Sequence, residues 1–412
     1  MNNGPDNRSL YVVTCRNEGS DARAMAVASL GKAFDQCRFV HPTRESGSEN
    51  PWAVRPWRNP LQLLELLGLA KLSHWLGRWV FFPSPDVLFT HAVLPRLFDS
   101  IQRDIMGGLD VSVLLTAPPH ASVTMVNQIK QRAPSVRVIV DWQDLWSYDE
   151  SYFRRAPEPY RKHLLMMEQR AMDEADLNVT TNERARDLLV ERHHLAPDKV
   201  VAIHHHFISL GESRNKPDPS SNDTCRVGFL GNLFKPPKVR GDKIFALFDR
   251  LARQKKISLE LIGDTTGKAG NEPGKLTHPC VRFHDRLPTD EAVSKLASMD
   301  LLLLTLEDLP NCKIIMHGKL PAYLAAGVPI VALVPNDSFV ADLIRETGVG
   351  FVLSNPDRWE EDFGTIIDRS LAGTLSFCPN PRAVGRYSWQ YLQGLWMDAI
   401  VNTDEAGTYH EQ

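Results

Sequence analysis

None of the six cysteines in this 412-residue chain stands in a CxxC spacing; they are scattered at positions 15, 37, 225, 280, 312 and 378. Neither a zinc site nor a disulfide framework is indicated. A large charge imbalance is also missing, and a formal net charge of −3 gives no electrostatic case for nucleic acid as the main partner. The polar N-terminus shows no cationic-then-apolar leader, which predicts a cytoplasmic chain. No short internal repeat or low-complexity tract appears. Nor is there an uninterrupted apolar run of the roughly 20 residues that a bilayer crossing needs. The nearest approach, residues 61–82 (LQLLELLGLAKLSHWLGRWVFF), is broken by Gln62, Glu65, Lys71, His74 and Arg78.

What is present is ordinary for a globular protein: 24% charged and 43% hydrophobic residues, in a length that favours two or three domains with their own cores. The 61–82 stretch carries five leucines in its first seven residues and two tryptophans, Trp75 and Trp79, and is preceded by Arg55 and Arg58. Two readings fit. It is either a helix lying in a membrane interface or a helix packed on its own domain with both tryptophans in the core.

Apolar runs alternate with helical patterns in two halves. In the first, Leu10–Cys15, Asp110–Thr116, Val136–Asp141 and Lys199–Ile203 read as strands, with helices over 21–34, from about 121, and over 157–176 and 182–192. Residues 211–224 (GESRNKPDPSSNDT) hold no large apolar residue and read as a linker. The alternation then restarts. Strands are predicted over Arg226–Gly231, Ser258–Gly263, 300–305 and 328–334, and helices over 241–254, 289–298 and 321–326. Short apolar strands separated by helices predict parallel sheets covered on both faces, with ligands at the C-terminal strand ends.

The most informative segment is 319–333, KLPAYLAAGVPIVAL. Pro321 suits a first helical turn, Gly327 suits a left-handed helix stop, and Val328 starts the next strand. Lys319 therefore stands where a short helix points its positive end out of a parallel sheet, a place where α/β folds hold phosphates. Gly231 and Asn232 end the first strand of the second half, where a backbone with little bulk can approach a phosphate. Lys235, Lys238 and Arg240 follow within one loop, which reads either as a phosphate-contacting loop or as a solvated basic one. In the first half, Asp144 projects past a strand end, either as a proton acceptor or as a turn cap. His120 opens a helix after Pro118-Pro119, as a substrate contact or a cap. Asp141 reads as a structural partner of Asp144. His204 and His206 alternate on a predicted strand, but no third ligand is spaced nearby, so no metal site is predicted.

Several pieces in order resemble the bacterial family-four glycosyltransferases: PSPDVLFTHAVL (83–94), TAPPHAS (116–122), VDWQDLW (140–146), Glu168–Asp176 followed by Asn178-Val-Thr-Thr181, and Lys199–Phe207. Gln143 and Leu145 depart from the arginine and proline usual there. The K-L-x-x-Y-x-x-x-G-x-P run is also similar to that of the glucuronosyltransferase of xanthan synthesis, where this lysine belongs to the donor site. The resemblance implies a GT-B fold, two Rossmann-like α/β domains facing a cleft. Residues 1–208 would bind acceptor, 209–224 link, 225–385 bind the nucleotide sugar, and 386–412 form a final helix crossing back to the first domain. It implies sugar transfer from a nucleotide-diphosphate sugar to a hydroxyl acceptor, a lipid-linked or polysaccharide intermediate, without cofactor or metal, and retaining rather than inverting.

Asp144 and His120 would be catalytic. Gly231, Asn232, Lys235, Lys238, Arg240, Glu307, Lys319 and Leu320 would hold the donor, and Gly19, Asp141 and Trp142 the acceptor. Family members carry a ribose-binding glutamate where this chain has Ala322, which leaves Glu307 or backbone groups for that task. The alternatives are a GT-B sugar-nucleotide epimerase or hydrolase, and a catalytically idle carbohydrate-binding protein. Contact of residues 55–82 with the inner face of the cell membrane completes the expected partners.

Overall fold

The computed structural model describes residues 7–16, 21–43, 50–56, 61–69, 72, 76, 84, 86–148, 153, 157–208, 223–233, 241–263 and 279–401. The chain divides into two compact units, Met1–His204 with Gln393–Gln412, and His205–Leu392. Most of the segment read as a linker lies outside the described residues, as do Gly19, Lys71, Trp75, Arg78, Trp79, Lys235, Lys238 and Arg240.

The first unit is built on seven strands: β1 (Arg8–Val13), β2 (Gln36–Pro42), β3 (Ala53–Val54), β4 (Asp110–Ala117), β5 (Arg137–Trp142), β6 (Leu177–Thr180) and β7 (Val200–Ala202). Their order is β3-β2-β1-β4-β5-β6-β7, with every pairing parallel. Helices fill the connections because the sequence supplies their ends. Asp21 caps Ala22–Ser29 by accepting from the Ala24 N–H, and Asn182 caps Glu183–His193 through the Ala185 N–H.

The second unit has six strands: β8 (Cys225–Leu230), β9 (Ile257–Ile262), β10 (Val281–His284), β11 (Leu301–Thr305), β12 (Ile330–Leu333) and β13 (Gly350–Val352). They run in the order β10-β9-β8-β11-β12-β13, again all parallel. Every residue of β9, β11 and β12 is buried, as expected of a sheet covered on both faces. The two-residue strand period sorts the side chains. Leu302, Leu304, Ile330 and Ala332 face one apolar layer with Tyr323 and Met316, while Leu301, Leu303, Val331 and Leu333 face the other with Phe248 and Phe363.

Both sheets share one logic. In each the chain lays strands outward to one side, returns to the starting strand, and continues on the other side. The reversal falls between β1 and β4 in the first unit and between β8 and β11 in the second. At such a point the connections leave in opposite directions, and a crevice opens at the C-terminal strand ends, where doubly wound folds hold ligands.

The short helix Leu320–Ala326 forms as its sequence predicts. Pro321 lies in its first turn and Gly327 closes it at φ 61°, with the Gly327 N–H on the Tyr323 carbonyl. Among the described residues no helix is long and apolar enough to cross a membrane.

Candidate functional site

In the second unit the residues after β8 and β11 flank the crevice. Gly231 follows β8 at φ 82°, and its N–H bonds the Ile262 carbonyl at 2.6 Å. Gly263 follows β9 at φ 136°, so close that a Cβ built on it would lie 2.8 Å from the Gly231 Cα. Two glycines therefore let neighbouring strand ends touch, which no side chain would permit. Lys319 comes up against this pair. It is only 7% exposed, its Nζ sits 3.1 Å from the centroid of the Phe229 ring, and a Cβ on Gly231 would meet its Cε at 3.9 Å. A ring face attracts an ammonium, and that attraction is worth about 0.5–2 kcal/mol.

Tyr323 ties the pieces together. Its hydroxyl donates to the Leu303 carbonyl at 2.9 Å and accepts from the Leu230 N–H at 3.1 Å, joining β11, β8 and the Lys319 helix. Burial pushes its phenol well up, so it stays a neutral strut. Asn232 and Glu307 are both half-buried, Glu307 two residues past the end of β11. Leu320 is fully buried in the apolar layer, so its side chain supports the helix rather than offering a surface to a ligand. Ala322, at the position of the family's ribose-binding glutamate, is a small residue packed against the same layer.

In the first unit a buried polar network underlies the strand ends. The Asp21 Oδ2 accepts from the hydroxyls of Thr14 at 2.9 Å, past β1, and of Thr116 at 3.1 Å, on β4. Arg23 places its Nε 2.8 Å from the Asp141 Oδ2, donates through Nη1 to the His204 carbonyl at 2.7 Å, and lies over the Trp396 ring. The Gln143 amide bridges Asp21 and Asp141 at 3.2 and 3.3 Å. Gln143 stands where arginine is usual in the resembling family, and here it serves this network. Burial pushes the Asp141 carboxyl up against the pull of Arg23. Trp142 is equally buried, with its indole N–H on the Asn178 Oδ1 at 2.8 Å. Asp141 and Trp142, expected at the acceptor, are thus enclosed as placed, because their polar atoms are taken up by core partners.

Asp144 is exposed, two residues beyond β5. His120 opens a single 3-10 turn, His120–Val123, and its Nε2–H donates to the Asp144 carbonyl at 3.0 Å. The structure brings these two residues together through a backbone oxygen. Behind them, fully buried Glu168 accepts from the Ser147 N–H at 3.0 Å and faces the His193 Nε2 at 3.3 Å. Burial alone would raise the Glu168 carboxyl, yet the hydrogen bonds from His193 and Ser147 outweigh it and hold it below the usual carboxylate range. The turn bearing Asp144 is therefore braced at both ends.

The histidine run is occupied locally. His204 Nδ1 contacts the Thr181 carbonyl and its Nε2 the Glu183 carboxylate at 3.2 Å, while His206 packs on Trp389. β7 stops at Ala202, so the alternating strand face predicted for these histidines does not extend to them.

Phe229, Tyr323, Gly263 and Asp21 were not singled out from the sequence as site residues. Gly263 had a signal, a glycine ending the second strand of its half as Gly231 ends the first. Phe229 and Tyr323 read only as apolar periodicity, which says nothing of what a side chain covers.

No family model and no curated protein sequence matches the chain. Solved structures do match over nearly all of it. The lipopolysaccharide outer core galactosyltransferase WaaB in its apo form is 15% identical, with a TM-score of 0.56, and the match covers 95% of this chain and 99% of that one. HepE of Anabaena in complex with UDP-glucose is 14% identical, with a TM-score of 0.60 over 95% and 99%. The N-terminal domain of the Candida albicans trehalose-6-phosphate phosphatase is 11% identical, with a TM-score of 0.61 over 98% of both chains. Likeness at these identities establishes the fold, which is GT-B.

Proposed function

We propose that the chain is a glycosyltransferase that moves a sugar from a nucleotide-diphosphate sugar to a hydroxyl acceptor. The observation that carries this reading is the Lys319 ammonium, held beside Gly231 and Gly263 at the strand ends where the second sheet reverses. Glycosyl transfer leaves negative charge on the departing diphosphate, and a fixed cation beside a bare backbone is suited to stabilise it. Asn232, Glu307 and the basic residues Lys235, Lys238 and Arg240 belong to the same proposed donor surface. With lysine supplying positive charge, the reading does not require a metal ion.

In the first unit Asp144 is the proposed acceptor-side carboxylate, with His120 fixing its loop. In an inverting displacement Asp144 takes the acceptor hydroxyl proton. In a retaining one the departing phosphate takes it and Asp144 orients the acceptor. The family-four resemblance favours retention, and the xanthan-type lysine motif is the argument for inversion. The names of two fold neighbours, a lipopolysaccharide galactosyltransferase and a protein holding UDP-glucose, support a nucleotide-sugar donor and a glycan acceptor for this chain. The same reading assigns residues 1–208 to the acceptor and 225–385 to the donor.

Thermal-shift screening against UDP, GDP, dTDP and their sugars tests the first half, since a ligand that binds the native state raises its apparent stability. Incubating the hit with and without glycan acceptors tests the second. Sugar appearing on an acceptor supports transfer. Donor consumed at the same rate without acceptor identifies an epimerase or hydrolase, and binding without turnover identifies an idle binder, consistent with alanine at position 322.

A further inference from the structure

The sheet of the second unit comes apart at its own point of reversal. Between β8 and β11 the ladder runs only through Leu301 with Val227 and Leu302 with Gly228. On their other sides β8 pairs with β9 up to Leu230, and β11 with β12 up to Thr305. The cause is Tyr323. Its hydroxyl stands between the Leu230 N–H and the Leu303 carbonyl, at 3.1 and 2.9 Å, where the next rung of the ladder would form. The two strands are held apart from there on, and a slot opens between their C-terminal ends.

Two polar groups meet at this slot. The Lys319 helix packs in the layer of Tyr323, yet its ammonium reaches the Phe229 ring in the opposite layer. The side chain therefore crosses over the strand ends, past Gly231. Counting on from Leu302 opposite Gly228, Thr305 stands level with Gly231 across the slot. Residues two apart on a strand share a face, so Thr305 points to the side of Leu301, Leu303 and Phe229, where the ammonium lies. Thr305 is 1% exposed, and its hydroxyl has no hydrogen-bond partner among the described residues. Thr14, Thr90, Thr116, Thr180 and Thr347, equally buried, all donate to a protein oxygen. Folded chains seldom leave a buried hydroxyl unmatched, and one that the chain does not match calls for a partner from outside it.

The surroundings say which partner. A hydroxyl donates to an oxygen, and beside an ammonium the favoured oxygen is an anionic one. The opposite wall is Gly231, whose missing Cβ leaves room for that oxygen to descend between the strands. We infer that the Thr305 hydroxyl binds a phosphoryl oxygen of the nucleotide-diphosphate donor. This rests on the donor site proposed above, and adds to it a neutral hydrogen-bond donor across the slot from Gly231.

The test compares Thr305→Val, which keeps the shape and removes the hydroxyl, with Thr305→Ser, which keeps the hydroxyl. Calorimetry of the full chain with UDP, GDP and dTDP first selects the nucleotide that the parent binds. Thr305→Val should bind it roughly ten- to a hundred-fold more weakly, the range of a hydrogen bond to a charged group, and Thr305→Ser should stay within about three-fold of the parent. Inorganic pyrophosphate, which shares only the phosphates, should displace the nucleotide from the parent and lose the same factor on the valine variant. Without ligand the valine variant should melt no lower than the parent, because it sheds an unmatched buried polar atom. Equal nucleotide affinity in the valine variant overturns the inference and leaves the donor site standing. So does a valine variant that fails to fold, which would give the hydroxyl a structural partner. Weakened nucleotide binding with undiminished pyrophosphate competition would place the hydroxyl at the base or a sugar, and overturns the inference as well. A parent that binds none of the three nucleotides overturns the donor site and the inference with it.

Discussion

The Lys319 ammonium lies 3.1 Å from the centroid of the Phe229 ring, which stands on β8 two residues before Gly231. The aromatic face attracts the cation and fixes its place beside the glycine pair.

Replacing this lysine tests the donor site directly. Lys319→Ala should weaken nucleoside diphosphate affinity by the worth of a charge-assisted hydrogen bond, roughly 1.5–3 kcal/mol or about 10- to 150-fold. Titration calorimetry on the folded variant reads this. Unchanged affinity would remove Lys319 from the site.

For Asp144, substitution by asparagine keeps the size and removes the proton acceptor. If Asp144 is the base of an inverting reaction, kcat should fall by roughly 10²–10⁴-fold with donor affinity unaltered. If the reaction retains configuration, the acceptor KM should rise instead. The product's anomeric configuration, measured alongside, separates the two cases. Near-wild-type values for both constants would leave Asp144 as a turn residue.

Gly263→Ala probes the contact between strand ends. The new Cβ would stand 2.8 Å from the Gly231 Cα, at a φ of 136° that side chains rarely adopt. Strained backbone of this kind costs about 1–3 kcal/mol, and relieving the clash must shift Gly231. Denaturant titration should show the loss of stability, and calorimetry a parallel loss of nucleotide affinity. A variant as stable as the parent would show that the two loops separate freely.

Glu168 makes a prediction about acid. Its folded pKa lies below the ordinary value of roughly 4.3, so the unfolded chain binds more protons as pH falls. The stability it contributes is fully present above that value and is lost as pH drops through the folded pKa. Glu168→Gln should flatten this acid limb of the stability curve. It should also destabilise the protein at neutral pH by about 3 kcal/mol, since the pairing with His193 and the Ser147 bond are weakened in a fully buried place. An acid limb unchanged in the variant would assign the effect to other carboxylates.

Much of the architecture was legible because parallel sheets write themselves as apolar runs. Leu301–Thr305 and Ile257–Ile262 are buried on both faces and carry no alternation to confuse them. Gly327 and Pro321 marked the ends of a helix of only seven residues. β2 escaped because Gln36–Pro42 mixes polar and apolar residues without a period, and is half covered. The long helix Val87–Met106 escaped because Pro95 lies inside it.

The site was legible only in part. Lys319, Gly231 and Asp144 announce themselves by residue type beside a strand or helix end. Burial does not announce itself, and it is burial that turns Asp141 and Trp142 inward and makes Phe229 and Tyr323 the supports of the lysine. Exposure was equally hidden at Leu63, Leu66 and Leu67, where the leucine pattern suits a core helix as well as a membrane one.

The pairing of Arg23 with Trp396 has a consequence for synthesis. Arg23 leaves the ribosome long before the ring beneath its guanidinium does. The strand ends at Ser112 and Arg137 wait equally long, since they bond the carbonyls of Ile400 and Ala399. The first unit to be translated is therefore the last to be finished. While the whole second unit is being made, an incomplete seven-stranded sheet must persist with one helix-sized gap. A chain stalled or nicked before residue 393 would keep that gap open, and would be marked by it as a substrate for chaperones and proteases.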